Sequence, residues 1–86
     1  MLERELKNLS DEIVDMLIRK NQDYDNAFFK LLEKYGDLVF LIHLEEKMQR
    51  LSSLINKEPN FEKKEDTIKD IIGYCLLYIT YKRGKT

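Results

Sequence analysis

The sequence predicts an all-α domain, a small antiparallel bundle of about four helices that assembles into a homo-oligomer. Apolar residues make up 43% of its 86 residues and charged residues 36%, a mixture typical of amphipathic helices. Apolar positions recur at steps of three and four along the chain, and no segment alternates as a strand would. A single domain this short has a thin core, which favours association between copies.

The first helix is predicted from residue 2 to about residue 20. Its apolar positions follow one helical face and are Leu2, Leu6, Leu9, Ile13 and Met16 or Leu17. Ser10, followed by two acidic residues, has the features of an N-cap. The sequence therefore leaves open a helix that begins at Ser10, with residues 1–9 in a separate turn.

Polar residues at 21–26 favour caps and turns, so they predict a loop before a second helix at about residues 27–35. Gly36 suits the left-handed conformation that often ends a helix. Asp37 directly after it can cap a third helix, which we expect to continue to about Ile55.

Residues 56–60 form the clearest break in the sequence, because Pro59 lacks a backbone donor and restricts the residue before it. A fourth helix is predicted to begin within residues 62–65 and to fray in a basic tail at residues 83–86. The short connector makes helices three and four antiparallel neighbours.

Two apolar faces are predicted to form the core. On helix three the face is centred on Leu44, Met48, Leu51 and Ile55, and on helix four on Ile68, Ile72, Cys75 and Ile79. The opposite side of helix four carries Asp66, Asp70, Tyr74, Leu77 and Tyr81, here called the tyrosine strip. We expect this strip to be a solvated face or a contact between copies. Gly73 beside it indicates a close approach by a backbone or a ligand.

Composition excludes several classes of function. Fifteen basic and sixteen acidic residues nearly cancel, which argues against binding of extended nucleic acid. The longest apolar run, residues 38–44, is far short of the roughly 20 residues that cross a bilayer, so no membrane partner is expected. The lone Cys75 and the lack of a secretory leader pattern predict a cytoplasmic protein.

Three potential cations on helix three, His43, Lys47 and Arg50, follow a spacing of four and three residues. This spacing places their side chains on one strip, where they can bind an anion such as phosphate. In the alternative interpretation, Lys47 runs its aliphatic stem along the core and places its ammonium in water.

Acidic residues of helices three and four are predicted to lie at matching heights. Counting from the connector, Glu46 comes level with Asp70, and Arg50 comes level with Asp66. The second pair is an ordinary salt bridge, whereas two facing carboxylates need a shared proton or a divalent cation. Two separate solvated carboxylates are the alternative.

The loop between helices one and two offers polar groups that suit a base or a ribose. Asp23, Asp25 and Asn26 supply acceptors and an amide, and Tyr24 supplies a ring. Turn formation and helix capping explain the same residues without a ligand.

At these residues the sequence resembles the nucleotide modification associated domains of phages and prophages. The resemblance covers roughly residues 20–80 and is carried by Lys20-Asn21-Gln22-Asp23-Tyr24-Asp25-Asn26-Ala27-Phe28, by Leu44-Glu45-Glu46-Lys47-Met48-Gln49-Arg50-Leu51, and by Glu65-Asp66-Thr67-Ile68-Lys69-Asp70-Ile71-Ile72-Gly73-Tyr74. Members of that family usually have a DYG-type turn, where this chain has Asp25 in place of the glycine.

The arrangement is also similar, more distantly, to the MazG-like all-α nucleoside triphosphate pyrophosphatases. That resemblance implies that Glu46, Asp66 and Asp70 hold Mg²⁺ and that Lys47 and Arg50, with His43 on the same strip, meet phosphates. It also implies that Asp23 and Tyr24 contact the nucleoside, and Tyr74 joins them as a candidate. Gln49 stands where Glu46 would need an acidic partner, which weakens the metal site.

These observations lead to three hypotheses of different classes. The first is a phage-type nucleotide-binding protein in the host cytoplasm, whose catalytic form would be a Mg²⁺-dependent pyrophosphatase with metal-activated water. The second is a non-catalytic sponge that sequesters a nucleotide signal of host defence. The third is a helical module that joins subunits through Tyr74, Leu77 and Tyr81.

Overall fold

The computed structural model describes residues 1–57 and 61–84, and these residues confirm the predicted all-α bundle. The described helices are α1 (Leu2–Asp23), α2 (Ala27–Tyr35), α3 (Leu38–Ile55) and α4 (Phe61–Gly84). Within the described ranges, no helix combines the length and the apolar character that crossing a membrane requires.

α1 is one continuous helix from Leu2, as predicted, and the alternative of a separate turn at residues 1–9 does not hold. Ser10 lies inside the helix, where its hydroxyl donates a hydrogen bond to the carbonyl oxygen of Lys7 at 3.1 Å. Such a local bond lets a serine sit within a helix instead of at its start. The helix also continues past the predicted end at about Lys20, as far as Asp23, and its first ten residues are exposed.

The turn between α2 and α3 confirms one predicted role and corrects another. Gly36 ends α2 with a φ of +83°, as expected of a helix-ending glycine. Asp37 occupies the N-cap position of α3, but its side chain makes no capping bond. Its carboxylate instead accepts hydrogen bonds from Lys82 Nζ at 3.1 and 3.2 Å, which ties the start of α3 to the end of α4.

The ends of α4 lie slightly outside the predicted limits. α3 ends at Ile55 as expected, and α4 begins at Phe61, just before the predicted window. The helix continues through residues 83 and 84, where we predicted fraying. Basic side chains in this last turn stabilise the helix, because their positive charge interacts favourably with the negative end of the helix dipole. Pro59 and residues 85 and 86 lie outside the described residues.

α3 and α4 form the most extensive helix contact, and they are antiparallel neighbours as predicted. Four contacts step along their interface: Phe40 with Tyr78, His43 with Tyr74, Lys47 with Asp70, and Arg50 with Thr67. This register agrees to within one residue with the predicted one. The heights of the site residues were therefore predictable from the length of the connector.

The buried core lies between this helix pair and α2. Phe28, Leu32 and Val39 form its centre, with half-buried aromatic residues of α4 packed around them. α1 contacts α4 separately, at Gly73, where Leu17 Cδ1 lies 3.1 Å from the position a Cβ would take. A neighbour does approach Gly73 closely, but it is a side chain of α1 and not the predicted backbone or ligand.

The predicted core faces of α3 and α4 are wrong. Met48 and Ile55 are each 54% exposed, and three isoleucines of the α4 face, Ile68, Ile72 and Ile79, are exposed as well. The tyrosine strip faces inward instead, and its Tyr74, Leu77 and Tyr81 pack against the core. Both helices are apolar on two faces, and periodicity alone does not decide which of the two meets the rest of the chain.

Candidate functional site

A cleft lies where the end of α1 meets α2, α3 and α4. It consists of a mainly apolar cavity of about 250 Å³, here called the chamber, and an open polar cavity of about 400 Å³, here called the mouth. Met16, Lys20, Lys47 and Asp70 line both. The chamber and the mouth are therefore continuous.

Aromatic rings form one wall of the chamber. His43 stacks on Tyr74 with 4.7 Å between ring centroids and 13° between planes, and Phe28 tilts against Tyr74 at 5.1 Å. Burial, followed by the charges of Asp70 and Glu46, raises the pKa of the Tyr74 phenol above its usual value. Tyr24, largely exposed, stands at the rim. These flat faces suit a planar ring.

Asp70 joins two cations at the boundary between the chamber and the mouth. Its carboxylate lies 3.3 Å from Lys20 Nζ of α1 and 3.1 Å from Lys47 Nζ of α3. Side chains of both Lys47 and Asp70 are about a quarter exposed, so the ion pair is only partly shielded from water. With Arg50 and Asp66 included, the mouth holds three cations and two carboxylates.

Thr67 fixes the position of Arg50. The threonine is 1% exposed, and its Oγ1 donates to the carbonyl oxygen of Lys63 at 2.8 Å and accepts from Arg50 Nε at 3.2 Å. A buried hydroxyl that is satisfied in both directions is costly to remove. The guanidinium is thus held at the wall of the mouth.

The turn after α1 brings Asn21 and Tyr24 to the chamber. Asp25 and Asn26 adopt φ values of +53° and +56°, so Asp25 takes the left-handed conformation that a glycine would adopt most easily. Asn21 donates a side-chain hydrogen bond to Asn26. Lys30 Nζ lies 2.7 Å from the Asp25 carboxylate and holds its pKa below the usual value. Asp25 therefore adopts this backbone conformation without a glycine.

The structure gathers most of the predicted site residues in this cleft. Lys47, Arg50, Asp66 and Asp70 line the mouth, and Tyr24 and Tyr74 line the chamber. Lys47 does not simply place its ammonium in water, because it pairs with Asp70.

Three predicted roles are not supported by the geometry. His43 belongs to the aromatic wall of the chamber and does not line the mouth where we expected it to meet phosphate. Asp23 is exposed at the last residue of α1 and lines neither cavity. Glu46 is exposed beside His43, with Oε1 3.4 Å from Nδ1, and also lies outside both linings.

Two of the three predicted magnesium ligands, Asp66 and Asp70, line the mouth, whereas Glu46 does not. Among residues 1–57 and 61–84, no three carboxylate, imidazole or thiol groups are placed to hold a metal ion. Asp70 is already paired with two ammonium groups, and Glu46 points toward His43. Mg²⁺ at nucleotide sites is usually held by one or two carboxylates together with substrate phosphates, so of the predicted ligands Asp66 and Asp70 are placed for such a site and Glu46 is not.

Sequence reasoning assigned no role to Lys20, Phe28 or Thr67. Lys20 continues the inward face of α1 that includes Ile13 and Leu17, and this position could have pointed to the cleft. No comparable pattern marks Thr67, since its importance arises from a contact with Arg50 on another helix.

Comparisons of this chain with protein-family models, with curated proteins and with solved structures found no match.

Proposed function

We propose that this protein binds a nucleotide or a nucleotide-derived small molecule, with the nucleoside in the chamber and the phosphates at the mouth. The continuity of an aromatic chamber with a cationic mouth is the observation that carries the proposal. Ligand pockets commonly combine such apolar walls with a few charged groups that fix orientation.

The size of the chamber supports this division of the ligand. Its volume of about 250 Å³ is slightly below the roughly 300–1,000 Å³ of typical ligand pockets. One nucleoside would therefore fill it, and the charged part of the ligand would remain at the mouth. There Lys20, Lys47 and Arg50 supply the positive charge that phosphate oxygens require.

Binding in this arrangement is an exchange of anions. In the ligand-free chain Asp70 neutralises Lys20 and Lys47. A phosphate group that approaches the mouth competes with the Asp70 carboxylate for the same two ammonium groups. Asp70 then tunes affinity by opposing the ligand, and its role differs from that of a metal ligand.

Binding without turnover, the sponge hypothesis, has more support than hydrolysis. The pyrophosphatase interpretation depends on the resemblance to MazG-like enzymes, and of the three carboxylates that it implies, Asp66 and Asp70 line the mouth but Glu46 does not. The helical module joined through Tyr74, Leu77 and Tyr81 loses its basis, because those side chains pack inside the chain.

Calorimetric titration with a panel of nucleotides, with and without Mg²⁺, tests the proposal. Lys47→Gln should weaken binding by about tenfold to a hundredfold, as expected for a hydrogen bond to a charged group worth roughly 1.5–3 kcal/mol. Lys34→Gln, a change of the same type on the exposed side of α2, serves as the control and should bind normally.

Asp70→Asn distinguishes the competing anion from a metal ligand. We expect this variant to bind nucleotide about threefold to fivefold more tightly, because a partly exposed ion pair worth up to roughly 1 kcal/mol no longer competes. If the wild type released pyrophosphate with Mg²⁺ and Asp70→Asn abolished this release, the metal-dependent enzyme would replace our proposal. A wild-type chain that binds no nucleotide at about millimolar concentration would overturn it.

A further inference from the structure

An apolar surface remains uncovered on the pair formed by α3 and α4. We call it the outer face. It consists of Leu41, Leu44, Met48, Leu51 and Ile55 of α3, and of Ile68, Ile72, Cys75 and Ile79 of α4. They include all eight residues that the sequence predicted to form the core. Five of those eight are exposed in this chain: Met48, Ile55, Ile68, Ile72 and Ile79.

Both halves of the outer face lie on the same side of the helix pair. The contacts of Lys47 with Asp70 and of His43 with Tyr74 define the line where the helices meet. A helix turns by about 100° per residue, so on each helix the residues of the outer face lie roughly a quarter turn or slightly more around the helix axis from that line. Because the helices are antiparallel, the two rotations point to one side, opposite the side on which α1 and α2 pack.

The spacing within the outer face is that of interdigitating helices. On α3 the apolar positions advance by three, four, three and four residues from Leu41 to Ile55, and on α4 by four, three and four residues from Ile68 to Ile79. Such 3-4 spacing is typical of helices that pack at a shallow angle, knobs into holes, against other helices. An additional pair of helices is the occupant that this geometry fits.

We propose that a second copy of this chain docks its own outer face here, so that α3 and α4 of two chains form a symmetric four-helix bundle. A twofold interface requires one surface that complements itself, and two equal apolar rows on antiparallel helices meet that requirement. The dimer therefore forms through the side of α4 that lies opposite the tyrosine strip. The sequence had suggested the tyrosine strip itself as the contact between copies.

The area of the outer face approaches that of a standard interface between two chains. Leu41, Met48, Ile55 and the three exposed isoleucines of α4 are about two fifths to one half exposed. With roughly 200 Å² for a large exposed side chain, these six residues offer on the order of 500 Å². Half-buried neighbours such as Leu44 and Leu51 bring the total toward the about 800 Å² per partner of a standard interface.

The small core of the single chain supports the same occupant. Only Ile13, Phe28, Leu32 and Val39 are buried hydrophobic residues in the described part of the chain. Burial of the outer face between two copies would join the half-buried residues of α3 and α4 into a larger continuous core.

Sedimentation equilibrium of the full chain tests the dimer. We expect a mass of twice 10.4 kDa for the wild type at micromolar concentration, and a melting temperature that rises with protein concentration. Met48→Glu and Ile72→Glu should give monomers. Ile42→Glu is the matched control: Ile42 lies on α3, is 48% exposed, and points away from the outer face, so this variant should remain a dimer.

Circular dichroism of each variant measures its helix content, so the test still gives an answer if a variant fails to fold. Met48 and Ile72 are exposed in the single chain, so loss of helix in these variants but not in Ile42→Glu also supports a partner on the outer face. A monomeric wild type would overturn the proposal, as would a Met48→Glu variant that remains a dimer. A monomer that sediments with anionic lipid vesicles would assign the outer face to a lipid surface instead.

Discussion

Asp37 was expected to cap α3, but its carboxylate reaches across to Lys82 near the end of α4. Hydrogen bonding to Lys82 lowers the pKa of Asp37 from its usual 3.8, and the same contact raises the pKa of Lys82 above 10.5. Both groups are exposed, so the pair stabilises the fold only modestly. A short polar side chain at a helix start has several available partners, and the nearest cation here belongs to another helix.

Asp37→Asn should lower the melting temperature slightly at neutral pH, because asparagine caps a helix about as well but does not pair with Lys82. The folded-state pKa of Asp37 is depressed, so its stabilising effect is present above the unfolded pKa near 3.8 and is lost as the pH falls through the lower folded value. Thermal melts of both proteins from pH 7 to pH 2 measure this difference. A difference that persists unchanged at pH 2 would contradict the assignment.

Glu46 and Lys47 show that the sequence did not predict which residue of α3 faces α4. The sequence predicted Glu46 level with Asp70, and the residue that meets Asp70 is its neighbour Lys47, so the predicted height was correct to within one residue. Neighbouring residues on a helix are about 100° apart, however, so only one of the two can face α4. Lys47 does so and meets Asp70, whereas Glu46 remains beside His43. The rotation of a helix depends on its packing partners, which the sequence does not reveal directly.

At the scale of the element, the positions of α3 and α4 were predictable because loop and cap residues mark their ends. The faces that turn inward were not predictable, because α4 carries isoleucines on one side and aromatic residues on the other. The aromatic side packs inward, where Phe40 stacks on Tyr78 with 4.1 Å between ring centroids. Ring stacking adds stabilisation to simple burial, and the isoleucine side remains exposed in this chain.

Gly73 determines how closely α1 approaches α4. Gly73→Leu should destabilise the protein by about 1–3 kcal/mol, because even a Cβ would lie 3.1 Å from Leu17 Cδ1 and a larger side chain would displace α1. Urea unfolding measures the change. Gly84→Leu is the matched control, since no neighbouring atom lies within 4 Å of a Cβ at that position.

A second substitution tests the cause of this effect. Leu17→Ala should recover part of the lost stability in the Gly73→Leu background, because it provides space for the new side chain. If Gly73→Leu were as stable as Gly84→Leu, the contact between α1 and α4 would not be tight at this point.

At the scale of the whole molecule, the class of fold and the number of helices were predictable, because they follow from apolar periodicity and from breaks such as Gly36. The arrangement of α1 was not predictable in the same way. α3 and α4 are joined by a short connector that restricts their geometry, whereas α1 meets α4 through residues about 50 positions away. Lys20 was therefore missed although the cleft depends on it.

The sparse contact between α1 and the other helices has a consequence for ligand entry. Ile13, Leu17 and Lys20 form one wall of the chamber, so local unfolding of α1 would open the chamber without disturbing the pair of α3 and α4. Amide hydrogen exchange should be fastest in residues 2–12, faster throughout α1 than in α3, and slowed in α1 when nucleotide binds. Equal protection of α1 and α3 in the free protein would show that the ligand enters by another route.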